Sequence, residues 1–445
     1  MAEKLSRERI VKAAFHAWGR TLFKHTGLHL VARELGVTKP AMYRYFRNKD
    51  EIIGAMKDEF DEYVRENIIA PLITILEEHR STGIPVEPEQ LVRGYFTGLF
   101  RHFNTRPNHY IFYLHRLIGR TVRESADPGT TRNKLETLLT SLFERSTGYS
   151  ATAAPSARYL TMSGVFWITH HYRNVLGKDP LTDPAFDPPT PSFSPDQMIF
   201  IVEAATDHFI RGFARDVPPR VDYTAVERIA SLSPEELTSP DRTVTAITTV
   251  VQEYGYAGAT VDRIAGELGV TKSSLYHYFK NRNEMLSRML IQIQEQFASL
   301  AALRFRQLRS DEDRLYGFFV LLSDYALLCP GSTIMGNWIR ESNIEVHIPT
   351  SWVGDLHEKY GFIADMLMRL NVADSREEAF EILWFIGFIV MQETTLRTGH
   401  GTVAGPNRPA LRDLFMQFTA GRTEQTEKTK ETPAAAAASR QGDLT

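Results

Sequence analysis

The sequence predicts an all-α protein made of two similar halves, each opening with a helix-turn-helix unit and continuing as a larger helical domain. Three observations carry this. The segment VARELGVTKPAMYRYFRNKDEII (31–53) returns about 230 residues later as IAGELGVTKSSLYHYFKNRNEML (264–286), identical at roughly half of the positions. Apolar residues recur at helical spacing along most of the chain, with no convincing strand alternation. In both repeats, two short helical segments flank the same Gly-Val-Thr turn signal.

A period this long is that of a duplicated domain of about 200 residues rather than a solenoid. Hydrophobic residues make up 43% and charged residues 24%, which gives enough material for real cores and excludes a disordered or disulfide-built chain. The single cysteine, Cys329, allows neither an intramolecular disulfide nor a multi-cysteine zinc site, and it fits a reducing compartment. The opening MAEKLSRERIVKAAF lacks the continuous apolar core of an export signal, so a cytoplasmic location is expected. The longest strongly apolar run, Ile382 to Met391, falls well short of the roughly 18–20 residues that cross a bilayer. A buried helix is expected there, and no membrane partner.

Taken in order, residues 1–52 form the first helix-turn-helix domain. It starts with a helix on which Ile10, Ala13, Ala14 and Ala17 share a face, capped by Ser6. Residues 53–215 form the first helical sensor-type domain. It is interrupted by Ser-Thr-Gly near 81 and 146 and by the proline-rich stretch 177–196, which separates two strongly apolar segments, 155–177 and 195–215. Residues 216–238 read as a linker. The second helix-turn-helix domain, 239–286, begins at the Ser239-Pro240 cap with Val244, Ile247, Val250, Val251 and Tyr254 on one face. Residues 287–421 repeat the helical domain, with helices near 287–308, 311–328, 350–370, 376–398 and 408–420. The tail, 422–445, has too few apolar residues to pack and reads as disordered.

The motif itself is chemically specific. A helix over Leu30–Leu35, or Val261–Leu268, runs into Gly36-Val37-Thr38 or Gly269-Val270-Thr271. The glycine supplies the positive φ of a tight turn and the threonine caps the next helix. Such a turn sets two helices at a steep angle, so that the second can enter a major groove. On that second helix Met42 and Phe46, or Leu275 and Phe279, fall on one face and should be core. The other face carries Lys39, Ala41, Tyr43, Arg44, Tyr45 and Lys49, or Lys272, Ser274, Tyr276, His277, Tyr278 and Arg282. Basic and phenolic groups suit phosphates, and small polar or basic residues near the helix start can read base edges. Double-stranded DNA is therefore the expected partner. Net charge over the whole chain is −3, but residues 1–60 carry an excess of roughly +5.

Over ELGVTKPAMYRYFRNKDEII and TVDRIAGELGVTKSSLYHYFKNRNEML the chain resembles the N-terminal domain of the tetracycline-repressor (TetR) family of transcriptional regulators. The resemblance covers about 50 residues in each half. It implies that Thr38, Lys39, Tyr43, Tyr45 and Lys49 contact DNA, as do Thr271, Lys272, Tyr276, Tyr278 and Arg282. At Gly27-Leu28 the first copy departs from the pattern, whereas Thr260-Val261 keeps the threonine cap. The family implies repression as the usual mode, and a pocket for a small, largely apolar effector in at least one half. It also implies dimerisation through the last two helices. Here 155–177 with 195–215, and 376–398 with 408–420, could form that four-helix bundle within one chain, giving an intramolecular pseudo-dimer; a homodimer of chains is the other possibility.

The sensor halves are aromatic-rich, with Tyr95, Phe96, Phe100, Phe103, Tyr110, Phe112 and Tyr113 in one and Tyr316, Phe318, Phe319, Trp338, Trp384 and Phe385 in the other. At helical spacing these are more often core than pocket, and no residue is assigned to the ligand. Histidines 102, 109, 115, 170 and 171 do not have the i, i+4 spacing that puts two imidazoles on one helical face, so no metal and no cofactor are expected. No P-loop, GxSxG, HExxH or GxGxxG motif points to an enzyme. The near-neutral second module keeps an alternative open, in which only one module binds DNA and the other serves protein–protein contacts.

Overall fold

A computed structural model describes residues 4–20, 27–114, 131–180, 189–214, 220–237, 242–329, 357–398 and 406–421. Among them all regular structure is helical, save one isolated bridge between Val86 and Ser146. No helix among the described residues is long and apolar enough to cross a membrane.

The first unit comprises α1 (Arg7–Gly19), α2 (Leu28–Glu34), α3 (Lys39–Met42) and α4 (Lys49–Val64). Ser6 caps α1 by accepting from the Arg9 amide at 3.2 Å, and Ile10, Ala13, Ala14 and Ala17 are all buried as expected. The helix α4 continues through a π-type turn, Arg65–Ile69, into α5 (Ala70–Thr82). Pro71 has no N–H for the Asn67 carbonyl, which accounts for the local widening. The first body then runs through α6 (Pro88–Thr105), α7 (Pro107–Phe112), α8 (Thr131–Phe143), α9 (Ala153–Leu176) and α10 (Pro195–Arg211). A complete capping box, Ser194 with Gln197, starts α10. The aromatic residues Tyr95, Phe96, Phe100, Phe103, Tyr110 and Phe112 are core, and Tyr113 is half-buried against them.

The second half holds α11 (Tyr223–Ala230), α12 (Arg242–Gly258), α13 (Val261–Leu268), α14 (Lys272–Tyr278), α15 (Arg282–Phe305), α16 (Asp311–Leu328), α17 (Gly361–Arg369), α18 (Arg376–Thr398) and α19 (Arg408–Ala420). Three expectations change here. The segment read as linker contains α11, whose Val226 and Ala230 are buried as it packs along α16. Its amphipathic spacing binds it to the second body. Tyr254, expected on the buried face of α12, is 44% exposed and lies under the Arg263 guanidinium, 4.1 Å from the ring centroid. Trp384 is 49% exposed on the outer side of α18, whereas Phe385 beside it is buried. The Ser239-Pro240 cap, His115, Trp338 and the tail 422–445 lie outside the described residues, as do the side chains of Val244 and Val251.

The two halves meet through α9 against α18 and α10 against α19. Phe385 packs on Phe166 with ring centroids 4.8 Å apart and on Tyr159 at 5.8 Å, while Phe213 stacks on Phe418 at 4.8 Å. Polar contacts cross the same seam: Arg158 to Glu393 at 3.0 Å, His170 to Glu381 at 2.5 Å, and the Gln417 amide to the Phe209 carbonyl at 2.9 Å. Just beyond α10 the backbones themselves pair, with the Phe213 and Ala214 amides donating to the Phe418 and Thr419 carbonyls at 2.8 and 2.9 Å. The four apolar segments expected to pair do so within one polypeptide.

Candidate nucleic-acid interface

Both units build the same turn. Gly36 and Gly269 adopt φ of +64° and +68°, a region that costs a side-chain-bearing residue energy, and each closes its helix so that the next one can cross it. The two second helices nevertheless differ. In the second unit Thr271 caps α14 by accepting from the Ser274 amide at 3.2 Å, and the helix runs to Tyr278. In the first unit Thr38 makes no side-chain cap, and the Ala41 amide turns back to the Thr38 carbonyl at 3.0 Å. Pro40 removes one donor from this first turn. The helix α3 ends at Met42 and continues only as a turn through Tyr43 to Tyr45, shorter than the sequence pattern suggests.

A second device closes each unit. Asn48 and Asn281 cap α4 and α15 by accepting from the Glu51 and Glu284 amides, each at 2.9 Å. Glu51 and Glu284 in turn accept from the Arg47 and Lys280 amides, each at 2.7 Å. These reciprocal bonds fix the corner between recognition segment and following helix. The Arg47 amide at Glu51, and the Lys280 amide at Glu284, hold those carboxyls below the usual range.

The polar faces are placed as follows. Met42, Phe46 and Leu275 are buried, and Phe279 is half-buried under Arg288. Above them Tyr43 and Tyr276 turn outward, 52% and 48% exposed. Thr38, Lys39, Arg44 and Lys49 are exposed and Ala41 is half-buried in the first unit; Thr271, Lys272, Ser274 and His277 are exposed in the second. The side chains of Tyr278 and Arg282 lie outside the described residues. Tyr45 differs from its neighbours. It is half-buried, and its phenol donates to the Leu5 carbonyl at 2.7 Å. Arg7 lies over the Phe46 ring at 4.1 Å and reaches both the Tyr45 carbonyl and Glu51, so the segment leading into α1 is strapped onto the recognition segment. No spacing rule points to Arg7.

At the start of α14, Lys272 donates to Asp262 of α13 at 2.8 Å, and this partner raises the lysine's pKa. In the first unit His29 stands at the position of Asp262, and Glu34 of α2 meets His16 of α1 at 2.8 Å. The second helix also enters more firmly, because Thr260 caps α13 through the Arg263 amide at 3.3 Å whereas Gly27 gives α2 no side-chain cap. A cap of this kind is worth about 1 kcal/mol.

Comparison with known proteins matches these two units to the same family. Residues 10–56 and 244–289 each match the family described as bacterial regulatory proteins, tetR family. The HTH-type transcriptional regulator BetI of Proteus mirabilis (strain HI4320) is 26% identical over 106 residues, which are 24% of this chain. The match spans about half of that relative's length, 53%. The chain carries two helix-turn-helix domains of the tetR family of bacterial regulatory proteins, in tandem.

Proposed function

We propose that this chain is a ligand-responsive repressor that binds operator DNA through two unlike helix-turn-helix modules held in one polypeptide. The observation that carries the reading is the recurrence, in both units, of an outward tyrosine over a buried apolar residue: Tyr43 above Met42 and Tyr276 above Leu275. In each, a lysine opens the helix, where side chains reach bases and phosphates in this motif. The packing of α9 and α10 against α18 and α19 supports an intramolecular pseudo-dimer, so one chain would present both recognition segments and its operator need not be palindromic. Release by a small, largely apolar effector held within a sensor half follows from the family resemblance.

The test is a gel shift on the DNA upstream of the protein's own gene at low salt, with Tyr43→Ala and Tyr276→Ala beside the wild type. Each variant should weaken binding by on the order of 1 kcal/mol. No shift by the wild type at low salt, where phosphate contacts are strongest, would sink the reading. Light scattering should give the mass of a single chain.

Two observations favour a second reading. Lys272 is engaged by Asp262, and the second unit is near neutral. That unit would then serve protein contacts, and only Tyr43→Ala would weaken DNA binding.

A further inference from the structure

Different arginines hold down the two recognition segments. In the first unit Arg7, the first residue of α1, lies over the Phe46 ring at 4.1 Å, donates to the Tyr45 carbonyl and reaches the Glu51 carboxylate at 3.2 Å. In the second unit Arg288 of α15 lies over the Phe279 ring at 5.4 Å and donates to Glu284 at 2.8 Å. The rings match in the repeat, and so do the carboxylates, but the arginines do not: Ala55 stands in the first unit at the position of Arg288. From this exchange we infer that Arg7 is a positioning residue for DNA recognition by the first module alone, setting its recognition segment from outside while the second module sets its own from within α15. The inference rests on the DNA-binding reading above.

The first module needs such a strap. Its α3 has four residues and no side-chain cap from Thr38, too little helix to hold its shape through its own hydrogen bonds. Carbonyls at a helix end find no partner within the helix, and Arg7 supplies a donor to that of Tyr45. Glu51 accepts from the Arg47 amide as well as from Arg7, which ties the strap to the corner before α4. A second tie runs beside it, from the Tyr45 phenol to the Leu5 carbonyl at 2.7 Å. Only a guanidinium does all of this at once, because its flat face rests on the ring while its edge donates in two directions. In the second module Thr271 caps a longer α14, and the arginine lies one turn beyond its own Glu284. Residues 5–7 therefore govern how Lys39 and Tyr43 are presented, and leave Lys272 and Tyr276 alone.

Hydrogen exchange of the full-length chain without DNA tests the strap, so its outcome is separate from that of the DNA-binding reading. The Tyr45 and Phe46 amides, which donate to the Met42 carbonyl at 2.9 and 3.1 Å, are the reporters. Arg7→Ala should speed their exchange about tenfold, and Arg7→Lys, which keeps the charge without the flat face, should do nearly the same. Adding Ala55→Arg to Arg7→Ala copies the second module's arrangement and should slow exchange again, while residues 271–279 stay at the wild-type rate in every variant. In a gel shift on the DNA upstream of the gene, Arg7→Ala should bind about tenfold more weakly and the double variant should regain most of the loss. Wild-type exchange in Arg7→Ala, full retention by Arg7→Lys, or no slowing by Ala55→Arg would overturn the assignment. So would weakened DNA binding with unchanged exchange, the result expected if Arg7 itself touched a phosphate.

Discussion

Gly212 lies so close to Thr419 that a methyl group on its α-carbon would stand 2.3 Å from the Thr419 carbonyl carbon and oxygen. The contact joins the end of α10 in the first half to the end of α19 in the second, beside the two backbone hydrogen bonds from Phe213 and Ala214. Gly212 also has φ +80° and ψ 178°, a region essentially closed to other residues. Gly212→Ala should therefore destabilise the seam by about 3 kcal/mol or more, lowering the unfolding temperature by several degrees. A variant that melts with the wild type would show that the halves do not depend on this approach.

Acid should loosen the joint between the first recognition unit and its body. His109 of α7 stacks on Phe15 of α1 at 4.2 Å and lies 5.3 Å from the His102 ring; both are buried, and neither His102 nitrogen has a partner among the described residues. Burial, followed by repulsion from His109 and Arg106, pushes His102 down from 6.5 to about 3, and burial also lowers His109 despite Glu59 at 3.6 Å. The pKa is depressed on folding, so the stabilisation is complete above 6.5 and is lost as pH falls from 6.5 toward 3. At about pH 4 the loss from His102 is on the order of 3 kcal/mol. Denaturant unfolding of wild type and His102→Leu at pH 7 and pH 4 checks it: the variant's pH dependence should be shallower, and equal slopes would refute the assignment.

Releasing Lys272 should strengthen the second module. Asp262 holds the lysine at 2.8 Å on the face proposed for DNA. Asp262→Asn removes both that tether and a negative charge that repels phosphate. Its salt dependence of DNA binding should steepen by roughly one phosphate contact, a slope change near −0.9. An unchanged slope would favour the reading in which this unit does not touch DNA.

Glu227 anchors α11 to the second body. Arg412 donates to its two carboxylate oxygens at 2.8 and 2.7 Å, and the Tyr316 phenol donates at 2.6 Å. Glu227→Ala strips these bonds and leaves the buried Tyr316 hydroxyl without an acceptor. Arg412 is 39% exposed, so solvent screening keeps the cost to about 1–2 kcal/mol. Limited proteolysis should then cut faster around α11, and wild-type cleavage rates would count against this anchoring.

What the sequence revealed, it revealed through local chemistry. The repeated Gly-Val-Thr turn, the Ser6, Thr260 and Thr271 caps and the buried Ile10, Ala14, Met42 and Leu275 all depend on residues a few positions apart, and each appears where spacing put it. Long-range partners decided the rest. Tyr45 has the same local pattern as Tyr43, but Leu5 accepts its hydroxyl; Tyr254 has core spacing, but Arg263 covers it from outside. Pro40 lay in plain view, yet only the structure shows that Thr38 makes no side-chain cap and that α3 ends at Met42. The helix in the supposed linker was hidden by the flanking prolines.

At the seam, Phe166 and Phe213 of the first half meet Phe385 and Phe418 of the second within a single chain. Two separate subunits come apart on dilution, and every substitution in one appears in the other. Here partnership is covalent, so a cell holding only a few copies still keeps both recognition units together. Each unit is also open to change alone, and Lys39-Pro40-Ala41 and Lys272-Ser273-Ser274 have already drifted apart.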